Sequence, residues 1–561
     1  MPKEAFWSPD EGAKFIQLHS VEWRDGFQYA IPYGGARIDP DFAFYPTHCR
    51  FEDLYPVRLP EGGVKFHWPL WFPFATGLLV EAFGPTGLYL MPLLSGWLVA
   101  LLAGYLIRAW DARLTPLAIL TVGLATPVAF FSVTFWEHTL ATLFGMAALC
   151  VVAGSQPLRV RTLWIIAPLL LAAAALRIEM LLFAAALICG WLAAGRWSRA
   201  GAAEAARDPA SMRRAFIVLG IATAAALVVL FTAIPERHRW IITEVPGFVL
   251  GSFAKLPYLL ETLTVVLVDA PGNKAPVIAD PWRYAVLFAC LAALAAPLLR
   301  SPRATAITGL AALVIVLEFS AYLVVLPEAY VSLHGFLPVA PFILLGVYVF
   351  PSLRRERRTA QLAIAITAAV YACLVCAVIF IVLVTPAGET PVGLEWGNRY
   401  LFTLYPIGAV LALAGARELH RNAASAVLKA AVAGAAAALL LCGALLEARG
   451  VWTLVQSRRL VATWQAALRD GPPVLTDVWW LPANMAPLFI SHEMHCVRQH
   501  ELQQWLQLAV RQGVHEFTFA NFRGLESAAI APAGVALSAQ ETREVSGLRL
   551  TRVRIAPAAG R

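Results

Sequence analysis

Residues 86–108 read TGLYLMPLLSGWLVALLAGYLIR, an apolar run that ends on Arg108. A helix of this length spans about 35 Å, enough to cross a bilayer's hydrocarbon core of about 30 Å. Similar runs recur near 114–133, 137–154, 162–176, 179–195, 215–234, 283–299, 304–326, 336–351, 360–384, 400–416 and 424–446. They predict a polytopic α-helical membrane protein of about twelve spans. Composition agrees: 59% of the 561 residues are hydrophobic and 14% charged, against about a quarter charged in ordinary soluble domains. Mean hydropathy is +0.66.

The formal charge of +8 is distributed by position. Alternate connections hold Arg108 and Arg113, Arg159 and Arg161, then Arg196, Arg199, Arg207, Arg213 and Arg214. The same set continues with Arg300 and Arg303, the RRERR run ending at Arg358, and Arg417 with Arg421. The remaining connections are poor in Lys and Arg and rich in Trp, Pro and acids. By the positive-inside rule the basic set is cytoplasmic, which predicts both termini outside, in an inner or plasma membrane. The basic balance therefore reads as topology, with no nucleic-acid partner.

Three regions follow. Residues 1–85 form an external first loop with interfacial helices, in which Pro69 and Pro73 interrupt FHWPLWFPFATGLLVEAFG. Residues 86–446 form the transmembrane body. Residues 450–561 alternate helix-like segments (VATWQAALRD, ELQQWLQLAVRQG) with strand-like ones (PPVLTDVWW, VHEFTFANF, GLRLTRVRI), predicting a small extracytoplasmic α/β domain. Cys49 and Cys496 are the two cysteines in predicted external segments, so an oxidising compartment would permit a disulfide between them.

The external rim gathers ionisable residues: Asp10, Glu11, Lys65, His67, Glu137, His138, Arg177, Glu179, Glu328, His334, Glu395 and Arg399. Charges at membrane depth need partners or a water-filled cavity, so acids and bases converging there point to a site. Each also has a plain reading. Asp10 and Glu11, in SPDEGAKF, suit the first turn of a helix capped by Ser8 or Asp10. Glu137 and His138, in FWEH, fit an acid/base pair, a metal ligand pair or a structural pair. Arg177 and Glu179 fit an ion pair at the rim. Arg399, in GNRYLFTLYP, and Lys65 fit phosphate contacts, as they also fit snorkelling cations. SHEMHCVRQH holds His492, His495, Cys496 and His500 without zincin spacing, which favours structural roles.

SPDEGAKF resembles the acidic first-loop motif of the GT-C superfamily of membrane glycosyltransferases, which includes protein O-mannosyltransferases and lipid A aminoarabinose transferases. KFHWPLWFPF, FWEH, the paired helices around LRIEM and the GNRYLFTLYP helix start resemble the same superfamily. The resemblance implies transfer of a sugar from a polyprenyl-phosphate carrier to an extracytoplasmic acceptor (glycan, lipid or protein), with inversion. It implies Asp10 as general base, with Glu11 and Glu137 orienting the acceptor or holding a divalent cation, whose use is left open. Lys65, Arg177 and Arg399 would receive the leaving phosphate, and His67, His138 and His334 would line the substrate. In that superfamily a transmembrane helix precedes the motif, so a further N-terminal helix is expected ahead of MPKEAFW. The competing reading from the residues alone is a multi-span transporter or lipid flippase, which would place its charges near the midplane between related halves.

Overall fold

The computed structural model describes residues 4–22, 28–29, 31–45, 56–58, 64–66, 71–155, 160–197, 266–270, 273–276, 288–289, 292–293, 295–296, 302–325, 331–333, 336–350, 352–353, 359–378, 396–397, 399–498, 501–522 and 535–557. The chain is mostly helical and divides into two units. One holds residues 1–90, 269–273 and 452–561, and the other residues 91–268 and 274–451.

Among the described residues of both units, four helical stretches are long and apolar enough to cross a membrane: Trp71–Ala109, Ile307–Val325, Thr359–Cys376 and Ala426–Leu468. Shorter apolar helices cover Ala112–Ala125, His138–Gly154, Thr162–Leu176 and Met180–Ala194. Large apolar side chains such as Trp97, Leu101, Trp164 and Leu171 are exposed. That suits helices bathed in lipid rather than water. The expected span at 215–234 lies outside the described residues, as does most of 283–299.

Four segments differ from the sequence expectation. The 114–133 run is split, with Thr115–Ala125 and Val128–Phe131 separated at Thr126 and Pro127. The residue before a proline is pushed out of helical geometry, and Thr126 is extended. The 336–351 run forms one short turn, Phe336–Val339, and then the 3-10 segment Pro341–Val349. Pro341 has no N–H to continue an α-helix. By contrast Pro73 does not break its helix: Trp71–Phe83 begins two residues earlier, so the proline sits in the first turn, where no intrahelical N–H bond is lost. The 424–446 run extends instead through Ala426–Leu468, absorbing the separate helix expected at VATWQAALRD.

In the helical unit, packing tightens where side chains are absent. A Cβ on Gly415 would lie 1.9 Å from the Leu345 carbonyl oxygen, so the Leu404–Asn422 helix touches the 341–349 segment backbone to backbone. Gly190 plays the same part between Met180–Trp197 and Thr359–Val378, where a Cβ would meet Thr367 Oγ1 at 2.2 Å. At the end of Pro302–Val325, Arg449 Nη1 donates to the carbonyls of Leu323 (3.1 Å) and Val324 (2.8 Å), satisfying acceptors that the helix leaves open.

The other unit is built on a five-stranded sheet: β1 (Val474–Thr476), β2 (Met494–Cys496), β3 (Glu516–Asn521), β4 (Val535–Val545) and β5 (Leu548–Pro557), in the order β4-β5-β3-β1-β2. β3, β1 and β2 are parallel, with β2 at the end of the sheet, and the β4–β5 hairpin adds antiparallel to β3. The hairpin turn uses Ser546 and Gly547, both at positive φ. Trp505, Leu506, Phe517, Phe519 and Val553 form the core, and Ile38 and Phe44 of the N-terminal segment are part of it. The first loop thus belongs to the same hydrophobic core as the C-terminal sheet.

Polar contacts fix that segment. Asp39 accepts from the Ala43 and Phe44 backbone N–H groups at 2.8 Å each and from Tyr33 Oη at 3.0 Å. Tyr33 Oη also lies 2.9 Å from His495 Nδ1, and Cys496 N donates to Phe44 O at 3.0 Å. Arg37 forms a forked ion pair with Glu493. His495 is therefore a core residue on β2, as its sequence context favours. Cys496 is disulfide-bonded, and the expected partner Cys49 lies outside the described residues.

Burial, and then the Arg37 charge, push the His495 imidazole down to about 3. The unfolded ring takes up its proton near pH 6.5. Over that interval the unfolded chain binds a proton the folded one refuses, so stability falls as pH drops, by up to about 1.4 kcal/mol per unit. Asp39 opposes this, because burial raises its carboxyl. Between pH 7 and pH 5 the melting temperature of the full chain is expected to fall further for wild type than for His495→Gln. Equal falls in a fluorescence-monitored melt would remove the histidine from the acid response.

Candidate functional site

Three connections of the helical unit bring ionisable residues together. Glu137 is the N-cap residue of His138–Gly154, but its carboxylate makes no capping bond. Arg177, between Val160–Leu176 and Met180–Trp197, donates from Nη1 to Glu137 Oε1 at 3.2 Å. Its Nε donates to Glu179 Oε1 at 2.7 Å. All three side chains are largely buried. Burial works against the Arg177 charge, but Glu179 and Glu137 outweigh it and hold the guanidinium above its ordinary range, with Arg399 opposing. The two carboxylates thus keep a buried cation charged.

Arg399 enters from the 3-10 turn Arg399–Leu401. Its guanidinium stands 5.7 Å from the Trp136 ring centre and 5.2 Å from that of Tyr400, and Nη2 reaches Tyr400 Oη at 3.4 Å. A guanidinium over aromatic rings is a favourable placement for arginine, whose planar fork suits phosphate recognition. The chain can turn here because Gly397 adopts φ +70. A Cβ there would also strike Tyr405 Oη at 2.6 Å. Below the turn, Tyr371 Oη donates to Tyr400 O at 3.2 Å, and Thr403 Oγ1 lies 2.9 Å from Thr142 Oγ1.

His138 takes an internal place, 2% exposed, with its ring 4.9 Å from Trp136, 5.0 Å from Phe131 and 5.8 Å from Phe402. Its ring packs against the same Trp136 over which Arg399 stands. The arginines and Glu137 were legible as charges beside apolar runs. Trp136 and Tyr400 were not, because aromatic residues at a membrane edge have an ordinary explanation as interface anchors.

The other unit holds the acidic motif. Pro9–Leu18 is a helix whose N-cap is Ser8, accepting from Glu11 N at 3.3 Å. Glu11 is fully buried: Oε2 accepts from Trp7 N at 2.9 Å, and Oε1 pairs with Arg458 Nη2 at 3.0 Å. Arg458 is equally buried and stands 4.6 Å over the Tyr89 ring. Glu11 was expected among the catalytic carboxylates. Its two oxygens accept from the chain's own donors, Trp7 N and Arg458. Asp10, its neighbour, is half-buried in the first turn. Gly12 seats the helix on the sheet-bearing unit's own backbone, since a Cβ would lie 1.6 Å from Ala483 O.

Lys65 lies on the strand Val64–Phe66, opposite Val57 of Pro56–Arg58. His67 and His334 lie outside the described residues. Among the described residues no group of three or more His, Cys, Asp or Glu is placed to hold a metal ion. Glu11 and Glu137, the carboxylates named for a divalent cation, each pair with an arginine.

The chain is similar to solved structures of ArnT and of an archaeal oligosaccharyltransferase. ArnT from Cupriavidus metallidurans in the apo state matches at 11% identity and a TM-score of 0.44, covering 97% of this chain and 97% of that one. The same protein bound to undecaprenyl phosphate matches at 13% identity and 0.39, covering 98% and 94%. Oligosaccharyltransferase AglB from Archaeoglobus fulgidus, in complex with an inhibitory peptide and a dolichol-phosphate, matches at 12% and 0.40, covering 92% and 69%. No protein-family description matches the chain, and no curated protein does.

Proposed function

We propose that this chain is a membrane glycosyltransferase that moves a sugar from a polyprenyl-phosphate carrier to an extracytoplasmic acceptor, with inversion. The observation that carries the reading is the buried-rim cluster of Arg177, Arg399, Glu137 and Glu179 among aromatic rings and apolar helices. A lipid phosphate needs fixed cations next to hydrocarbon, and a leaving phosphate gains charge as the glycosidic bond breaks. Arg399 is the proposed contact to that phosphate. Arg177, held charged by its carboxylates, sets the field around it. Lys65 remains a second proposed phosphate contact, and His67 and His334 proposed substrate contacts.

The proposed general base is Asp10, accepting the acceptor hydroxyl's proton as its oxygen attacks the anomeric carbon. The disulfide at Cys496 supports an extracytoplasmic setting for the sheet-bearing unit, since such bonds persist in oxidising compartments. The proposed location is the inner or plasma membrane, with about twelve spans by hydrophobic length.

The test is release of polyprenyl phosphate by the full chain in lipid, from undecaprenyl- and dolichyl-phosphate sugars, with and without cell-envelope acceptor. Wild type is expected to show acceptor-dependent release. Arg399→Ala is expected to lose roughly 10–100-fold in kcat/KM, the worth of a charged hydrogen bond. Release from no donor would overturn the reading, and equal activity of Arg399→Ala would remove the proposed phosphate contact.

A further inference from the structure

One buried carboxyl lies behind the cluster. Glu447, on the long Ala426–Leu468 helix, is 1% exposed. Its Oε1 accepts from Trp396 Nε1 at 3.2 Å, and the backbone N–H of Phe130 faces the carboxyl and favours its charge. Burying a carboxyl among apolar helices is costly, so its contacts with these two segments are worth keeping intact. Phe130 lies in the first turn of Val128–Phe131, where backbone N–H groups lack intrahelical acceptors. Glu447 turns its negative charge toward that N–H from another helix.

The surroundings shape a seat for Trp396. Gly443, Glu447 and Gly450 share a helix face by their i, i+4 and i+7 spacing. A Cβ on Gly450 would lie 2.4 Å from the Trp396 ring, and one on Gly443 3.0 Å from Phe342. The Trp396 ring in turn stacks on Phe130 at 5.7 Å. Each tethered segment leads directly into the cluster. Three residues after Trp396 comes Arg399, and the Phe131 ring, next to Phe130, packs 5.2 Å from Trp136 and 4.9 Å from Phe402.

We infer that Glu447 is a positioning residue, fixing the register between the Phe130–His138 segment and the Trp396–Tyr400 segment so that Arg399 stacks on Trp136. Its consequence for ligand binding rests on the reading of Arg399 as the phosphate contact. The register itself does not.

Hydrogen exchange of the full chain in lipid nanodiscs tests the register without reference to activity. In Glu447→Leu, peptides covering 128–138 and 396–405 are expected to exchange at least about tenfold faster, both together, as two tethers to one lost carboxyl must. Glu447→Gln keeps an acceptor for Trp396 and is expected to restore most of the protection at 396–405. Where Glu447→Leu does not fold, Trp396→Phe, which loses the donor and keeps a ring, is expected to loosen 396–405. Acceleration of neither segment, or of only one in Glu447→Leu, overturns the inference.

Binding of undecaprenyl phosphate supplies the functional arm. Glu447→Leu is expected to weaken it about tenfold, and the loss should vanish in an Arg399→Ala background, the mark of action through that arginine. Additive losses would overturn the positioning role. A wild type that binds no undecaprenyl phosphate would count against the proposed function, while the exchange result would still decide the register.

Discussion

Arg458→Met is expected to destabilise the sheet-bearing unit by about 3–5 kcal/mol, the usual cost of stranding a buried charge. Both partners of the Glu11–Arg458 pair are sealed from solvent, so water cannot replace the missing guanidinium. The Tyr89 ring would lose its cation, and Glu11 would keep only the Trp7 N–H among the bonds described above. The variant should therefore melt lower, and hydrogen exchange should rise first across residues 4–18. Replacing both partners, Glu11→Leu with Arg458→Met, is expected to recover most of the loss, because two apolar side chains carry no desolvation debt. A single variant as stable as wild type would mean that Glu11 finds another partner. A double variant no better than the single one would assign the loss to packing rather than charge.

This pair also marks the limit of what the sequence discloses. Apolar runs such as 137–154, 162–176 and 179–195 became helices with ends close to those expected, because hydrophobic length is a local property. The splits at Thr126–Pro127 and Ala340–Pro341 fell at prolines that the run lengths had overridden. The β4 strand, VALSAQETREV, was missed because an exposed edge strand needs no alternating apolar face. Glu137, Arg177 and Arg399 were readable as charges where charge is expensive. Glu11 was readable as a charge but not as a committed one, since its partner is 447 positions away. Glu447 was harder still: at the end of an apolar run it looks like any helix-terminal carboxylate, and only the packed Trp396 distinguishes it. What the sequence withheld was pairing over distance, which is set by tertiary packing.

The pairing matters most for the last expectation, which concerns Asp10. Asp10→Asn is expected to lower transfer by about 10²–10⁴-fold, the range for removing a general base. The change preserves shape, and Ser8, not Asp10, supplies the helix cap. Folding should therefore be nearly untouched: a carboxylate in the first turn of a helix contributes about 0.3–1 kcal/mol through the dipole. Glu11 and Arg458 lock the same turn from behind, so the asparagine would occupy the aspartate's place without loosening the backbone. The loss should fall on kcat, with undecaprenyl-phosphate binding unchanged, because a base acts on the acceptor hydroxyl and not on the carrier. Raising the pH should not rescue the variant, since an amide has no proton to lose in the accessible range. Asp10→Glu, which keeps the carboxylate and displaces it by one methylene, is expected to retain a measurable fraction of the rate. Near-wild-type transfer by Asp10→Asn would dismiss Asp10 as the base and leave the motif with the structural duty that Ser8 and Glu11 already perform.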